Sequence, residues 1–151
     1  MQEPYVNHLS EVALLLAEAT AGEDANLIIA GLLHDTIEDQ GVAQDEIAAI
    51  FGEDVASLVV EVTDDKSLTK EDRKRLQAEL ATTKSVRGKL LKIADKTANL
   101  RSMKDSPPSG WGEERKREYF VWSKSVVDNC RGVNAWLEQQ FDIQYQFGAW
   151  P

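Results

Sequence analysis

No lysine or arginine occurs in the first 65 residues of this 151-residue chain, although the same stretch holds 15 acidic side chains. An acidic surface of that extent repels nucleic acids and phosphates alike, which excludes a general nucleic-acid binder. Cysteine appears once, at Cys130, so no internal disulfide can form, and a reducing, cytoplasmic home is expected. Cys130 itself reads as a small helix residue. No apolar run approaches a membrane span, and Met1-Gln2-Glu3-Pro4 has no basic segment leading into an apolar one. Neither a membrane partner nor a secretory signal is therefore expected. Period-two alternation bounded by turns is absent too, which argues against any significant sheet. Repeats, low-complexity tracts and linkers are likewise missing, and the length suits one domain over 1–151 better than two.

What the chain does contain is unevenly distributed. Residues 66–101 carry 11 basic and 4 acidic side chains, a local charge of +7 inside a chain of net −9. Positive charge gathered in one stretch permits a local site for a small polyanion. For any single lysine or arginine there, a solvated helix face is an equally good account.

The hydrophobic pattern is helical nearly throughout, giving an all-α class. Residues 6–19 form an amphipathic pattern that runs out at Thr20-Ala21-Gly22. Asp24 is placed to cap a second helix, whose interior 27–33 is apolar on every side and so is expected to be buried all round. Shorter helices are expected over 44–51, ending at Gly52, and over about 54–62. Thr69 and Asp72 form a variant capping box that opens a helix to about Thr82, and Ser85 caps another running to Met103. Residues 104–112 are rich in turn formers and read as a loop, followed by one long helix over about 113–139. The tail from Phe141 has no assigned structure and is free to fold back on the core.

The second helix ends in His34-Asp35-Thr36-Ile37-Glu38-Asp39. A buried imidazole beside a carboxylate costs several kcal/mol unless both are satisfied. A structural His–Asp hydrogen bond does this, and so does a divalent cation, which accepts mixed nitrogen and oxygen ligands. The other histidine, His8, opens the first helix. Asp95 interrupts the core-like run Leu91-Lys92-Ile93-Ala94-Asp95, and Asn99 shares its face one turn on. His34 with Glu38, and Asp35 with Asp39, repeat that i, i+4 spacing. Helices packed side by side would bring these sets together.

The order His8 … His34-Asp35 … Asp95 resembles the H…HD…D metal pattern of the HD phosphohydrolase superfamily. The wider words Leu32-Leu33-His34-Asp35-Thr36-Ile37-Glu38-Asp39 and Lys92-Ile93-Ala94-Asp95-Lys96 with Asn99-Leu100-Arg101 resemble the hydrolase domain of the RelA/SpoT family. Thr63-Asp64-Asp65-Lys66, Arg73-Lys74-Arg75-Leu76-Gln77 and Glu118-Tyr119-Phe120 with Trp122 look like its stand-alone small alarmone hydrolases, so that the similarity runs from Pro4 to about Val127.

The resemblance implies an HD-domain helical bundle holding one Mn²⁺ through His8, His34, Asp35 and Asp95. Four ligands leave open positions on an ion that prefers six, and water there has a lowered pKa. Glu38 and Asp39 fall on the family's acidic pair, thought to activate or orient the attacking water. Asn99 falls on a ribose contact, and Lys70, Arg115 and Tyr119 on positions lining the nucleotide site; for Tyr119 a core role is an equal alternative. The implied substrate is a nucleotide: guanosine tetra- or pentaphosphate (ppGpp or pppGpp), losing pyrophosphate from its 3′ position, or NADPH, losing its 2′-phosphate. A non-catalytic nucleotide- or metal-binding module is the alternative of another class. In the family a basic pair upstream of the Pro-Tyr…His segment helps to hold the base, whereas this chain has no basic residue before Lys66. Weak substrate binding is expected on that ground, with Lys70, Arg73, Lys74 and Arg115 as the available cations.

Overall fold

The structure is a computed structural model that describes residues 5–148, with backbone alone for Tyr5, Val6, Glu38 and Asp39. In order, its helices are α1 (Tyr5–Ala19), α2 (Ala25–Leu33), α3 (Thr36–Gln40), α4 (Gln44–Phe51) and α5 (Glu53–Glu61), then α6 (Lys70–Leu80), α7 (Val86–Asp105), α8 (Glu113–Asp128) and α9 (Ala135–Tyr145). A 3-10 turn, Ala81–Thr83, follows α6, and no strand occurs among the described residues. The all-α expectation holds.

Side-chain caps start several of these helices where expected. Asp24 accepts from the Leu27 amide at 3.1 Å, Thr69 from that of Asp72 at 3.1 Å, and Ser85 from that of Gly88 at 3.0 Å. Each satisfies an amide that the first helical turn leaves without a partner. Gly41 and Gly52 close α3 and α4 with φ of 66° and 97°, in the left-handed region that favours glycine.

The helix enclosed on nearly all sides is α7, not α2. Leu32 of α2 is 41% exposed, whereas α7 buries Leu91, Ile93, Ala94, Thr97, Ala98 and Leu100 together with Lys92 and Lys96. Lysine stems cover apolar surface as well as leucine does, so a run that reads as polar can lie inside. Around α7 pack α1, α2, α5, α8 and α9, and the buried apolar side chains make one contiguous cluster. Each leucine or isoleucine so enclosed contributes about 1.5–3 kcal/mol relative to exposure.

Two features fix the approach of α2. The Arg87 guanidinium donates to both carboxylate oxygens of Asp24, at 2.9 Å each, and to Asp54 at 2.8 and 2.9 Å, tying the first turn of α7 to the starts of α2 and α5. Gly31 lies against α1 so closely that a β-carbon there would meet Leu16 Cδ1 at 2.8 Å and Val12 Cγ1 at 3.3 Å.

The expected single helix over 113–139 is two helices. α8 ends at Asp128, Gly132 takes φ 97°, and Asn134 caps α9 by accepting from the Leu137 amide at 2.8 Å. A left-handed glycine followed by an asparagine cap stops and restarts the helix. The tail does return to the core: Phe141 is completely buried and α9 packs on α7. Cys130, expected as a small helix residue, lies instead in the turn after α8, where burial pushes its thiol up to about 11. Similarly, α6 gives way to the 3-10 turn at Ala81, before Thr82, and α7 runs two residues past Met103.

Candidate active site

Three separate stretches of chain bring four side chains together. His8 comes from the first turn of α1, His34 and Asp35 from the junction between α2 and α3, and Asp95 from the middle of α7. Both histidine Nε2 atoms face Asp95 Oδ1, at 3.1 Å from His8 and 3.0 Å from His34. Asp35 Oδ2 lies 3.2 Å from His34 Nε2. One donor atom from each of His8, His34 and Asp95 falls within 4.8 Å of the others. The site is nearly closed to solvent, with side-chain exposures of 11% for His8, 5% for His34 and 13% for Asp95, and 31% for Asp35 at its rim.

The tautomer of His34 follows from its other nitrogen. Nδ1 lies 2.6 Å from the Gly31 carbonyl, which can only accept, so Nδ1 carries the proton and Nε2 is left for the cluster. A bare Nε2 lone pair aimed at carboxylate oxygens is repulsive, so the nitrogen needs either a second proton or a cation. Burial alone would push this imidazole down, but hydrogen bonds with Asp35 and Asp95 outweigh it and hold it up at about 10. Asp95 responds in the opposite sense. Burial opposes its charge, yet Lys96 and the two histidines keep it well below the usual carboxylate range. Two imidazole nitrogens and two carboxylates in a nearly dry pocket form a donor set that fits a first-row divalent ion, which would replace the His34 proton.

Alongside this cluster, a cavity of about 360 Å³ is walled by side chains of α6, α7 and α8 and of the loop before α8. Five cations line it, Lys70, Arg73, Lys74, Lys96 and Arg115, against two acids, Asp64 and Glu118. The remaining wall is largely aromatic. Trp111 and Tyr119 meet edge to face at 5.8 Å, and Tyr119 and Trp122 lie 5.7 Å apart. Arg115 stacks 4.0 Å above Trp111, while Lys74 and Lys96 both approach Trp122, at 4.8 and 4.4 Å from its ring centre. Burial, followed by the neighbouring charges of Lys70 and Lys96, lowers the pKa of Lys74. Burial and then Asp95 raise that of the Tyr119 phenol.

Lys70, Arg115 and Tyr119 are thus brought into one cavity. Asn99 is not: it sits half-buried on α7, one turn beyond Asp95, and does not line this space. The side chains of Glu38 and Asp39 lie outside the described residues. The backbone corrects one premise about them, because the helix is interrupted at His34-Asp35 and resumes as α3, so His34 and Glu38 do not share one continuous helix. Sequence reasoning overlooked Lys96 and Trp111 as cavity residues. For Trp111 a signal was present: Trp111, Arg115, Tyr119 and Trp122 repeat at intervals of three to four, and Lys70, Arg73, Lys74 and Gln77 follow the i, i+3, i+4, i+7 pattern of one helix face.

Residues 1–120 match the HD domain family model. The chain belongs to the HD-domain family. Similar proteins include guanosine-3′,5′-bis(diphosphate) 3′-pyrophosphohydrolase MESH1 of Drosophila melanogaster, 49% identical across 93% of this chain and 79% of the relative. The human MESH1 is 46% identical across 90% of this chain and 76% of its own length. Among solved structures, a metazoan orthologue of SpoT described as hydrolysing ppGpp superimposes with a TM-score of 0.90 at 48% identity, covering 95% of this chain and 80% of the other. A Listeria monocytogenes structure superimposes with a TM-score of 0.76 at 33% identity, covering 95% and 97%. The HD-domain helical bundle expected from the sequence is therefore the fold observed.

Proposed function

We propose that this chain is a metal-dependent hydrolase that removes pyrophosphate from the 3′ position of guanosine 3′,5′-bis(diphosphate), giving GDP, and from its pentaphosphate, giving GTP. The carrying observation is that both histidines converge on Asp95 Oδ1, at 3.1 Å from His8 and 3.0 Å from His34, beside a cavity lined by five cations and two acids among the described residues. The MESH1 relatives carry the same activity in their names.

His8, His34, Asp35 and Asp95 would hold one divalent ion, Mn²⁺ by family resemblance. Such an ion lowers the pKa of water and draws charge from phosphoryl oxygens as a bond breaks. The protein's own residues supply the rest. The Gly31 carbonyl keeps Nε2 of His34 directed into the cluster. Glu38 and Asp39, on α3 immediately after Asp35, are proposed to take and return the proton of the attacking water. Lys70 and Arg115 bind the phosphates that are not cleaved, and the Tyr119 face supports the base or ribose. Asn99, one turn from Asp95, is kept as a candidate ribose contact. The single, buried cysteine suits a reducing compartment such as the cytoplasm.

The test is a product assay of Mn²⁺-loaded protein with guanosine tetraphosphate, NADPH and ordinary nucleotides side by side. GDP and pyrophosphate from the tetraphosphate are the expected products. Inorganic phosphate released from NADPH alone would make the protein a 2′-phosphatase. Tight nucleotide binding without any product would make it a non-catalytic module.

A further inference from the structure

We propose that Lys96 is a further catalytic residue, its ammonium contacting the phosphoryl group that is cleaved. The proposal rests on the phosphohydrolase reading above and concerns the one cation, among the described residues, shared by the His/Asp cluster and the cavity. Lys96 Nζ lies 3.4 Å from Asp95 Oδ2, while the other oxygen of that carboxylate faces both histidines. Lys96 also lines the 360 Å³ cavity, and the same Nζ rests 4.4 Å from the centre of the Trp122 ring. Lys96 therefore borders both the cluster and the cavity.

Lys96 is held in that position with little freedom. Its side chain is 5% exposed, and the indole beside it is fixed by a hydrogen bond from Trp122 Nε1 to the Lys74 carbonyl at 3.0 Å. An ammonium costs several kcal/mol to bury, and here Lys74 approaches the same ring. One long contact with Asp95 and one aromatic face offset this burial in part. A phosphoryl oxygen supplies the short, charge-assisted hydrogen bond that the position lacks.

The role in the reaction follows. The oxygen of water bonds to the phosphorus attached to the 3′ oxygen, and the P–O3′ bond breaks with its electron pair going to O3′. One water proton passes to a carboxylate and is returned to O3′, forming the 3′ hydroxyl, and pyrophosphate leaves with the water oxygen. Lys96 keeps its own protons and hydrogen-bonds the phosphoryl oxygens, whose charge redistributes as the bond breaks. A preorganised donor of this kind accounts for about 10²–10³ in turnover.

Lys96→Met and Lys96→Arg test the assignment, with Lys96→Gln in reserve should the methionine variant not fold. The expected result for Lys96→Met is a kcat about 10²–10³ lower, unchanged divalent-ion content after dialysis, and at least tenfold weaker binding of inorganic pyrophosphate by calorimetry. Lys96→Arg keeps the charge and should recover most of the loss. Loss of the ion along with activity would overturn the proposal, since Lys96 would then act only by holding Asp95. Unchanged kcat and pyrophosphate affinity would overturn it as well. If the unsubstituted protein fails to cleave guanosine tetraphosphate, yet Lys96→Met weakens pyrophosphate binding with the ion retained, the phosphoryl contact stands and the substrate assignment falls.

Discussion

The His/Asp cluster and the neighbouring cavity are both charged and largely enclosed, but they are built on opposite principles. In the cluster each carboxylate faces an imidazole nitrogen, with contacts of 3.0–3.2 Å among His8, His34, Asp35 and Asp95. In the cavity like charges are crowded: five cations against two acids, with Lys74 lowered by burial and by its neighbours. The first arrangement is completed by one proton or one cation at His34 Nε2 and, on the proposed function, sets the chemistry. The second favours a polyanion and, on the proposed function, sets which molecule is accepted. On the proposed function, reaction and selection fall largely to different residues, with Lys96 bordering both, and substitutions should separate them.

The largest expected effect is in the cluster. His34→Ala should abolish both metal retention and turnover, whereas Glu38→Ala should keep the metal and lower turnover by about 10²–10⁴, the usual worth of a general base. Elemental analysis after dialysis, run beside the turnover assay, separates the two. Equal loss of metal in both variants would make Glu38 a ligand and not a base. In the cavity, Arg115→Ala removes the guanidinium stacked on Trp111 and should raise KM for guanosine tetraphosphate about ten- to a hundredfold. Its metal content should stay intact and its kcat close to unchanged. A collapse of kcat at constant KM would mean that the two regions are not separable.

The smallest effect concerns the Arg87 clamp, which belongs to neither region. Arg87 holds Asp54 down at about 2 and lowers Asp24 as well. Both carboxylates are depressed below their unfolded value of about 3.9. Their contribution is therefore complete above that pH and is lost as pH falls toward 2. Asp54 is half exposed, which limits the clamp to about 1 kcal/mol. Arg87→Ala should melt about 2–4 °C lower at pH 7, and the gap should narrow between pH 4 and pH 2. A gap that persists at pH 2 would assign the role of Arg87 to the packing of its stem.

The cluster was legible in the sequence because its residue types are rare and costly inside a core. With only two histidines in the chain, and Asp95 set in an apolar run, few arrangements could satisfy them. The cavity was only half legible. Lysines and arginines suit solvent equally well, and only their spacing distinguishes Arg73 and Lys74, which face the cavity, from Arg75, which turns outward to Asp72 and Glu79. The break between α8 and α9 was missed because Gly132 and Asn134 are tolerable within a helix, and nothing local says that they end one. The burial of α7 was hidden by its own lysines, whose charge dominates a hydropathy pattern while their stems pack.

The spacing of the two histidines has an origin outside either of them. His8 rides on α1 and His34 on α2, and what lets those helices approach is the hydrogen that Gly31 carries in place of a side chain. The carbonyl of the same residue orients the His34 ring. Gly31 thus acts as both a spacer gauge and an alignment pin, and one added methyl group would press on Leu16 and Val12 and change the bite of the proposed metal site without touching a proposed ligand. Any redesign of this centre for a larger or smaller ion therefore has a lever one turn before the histidine, in a residue that coordinates nothing.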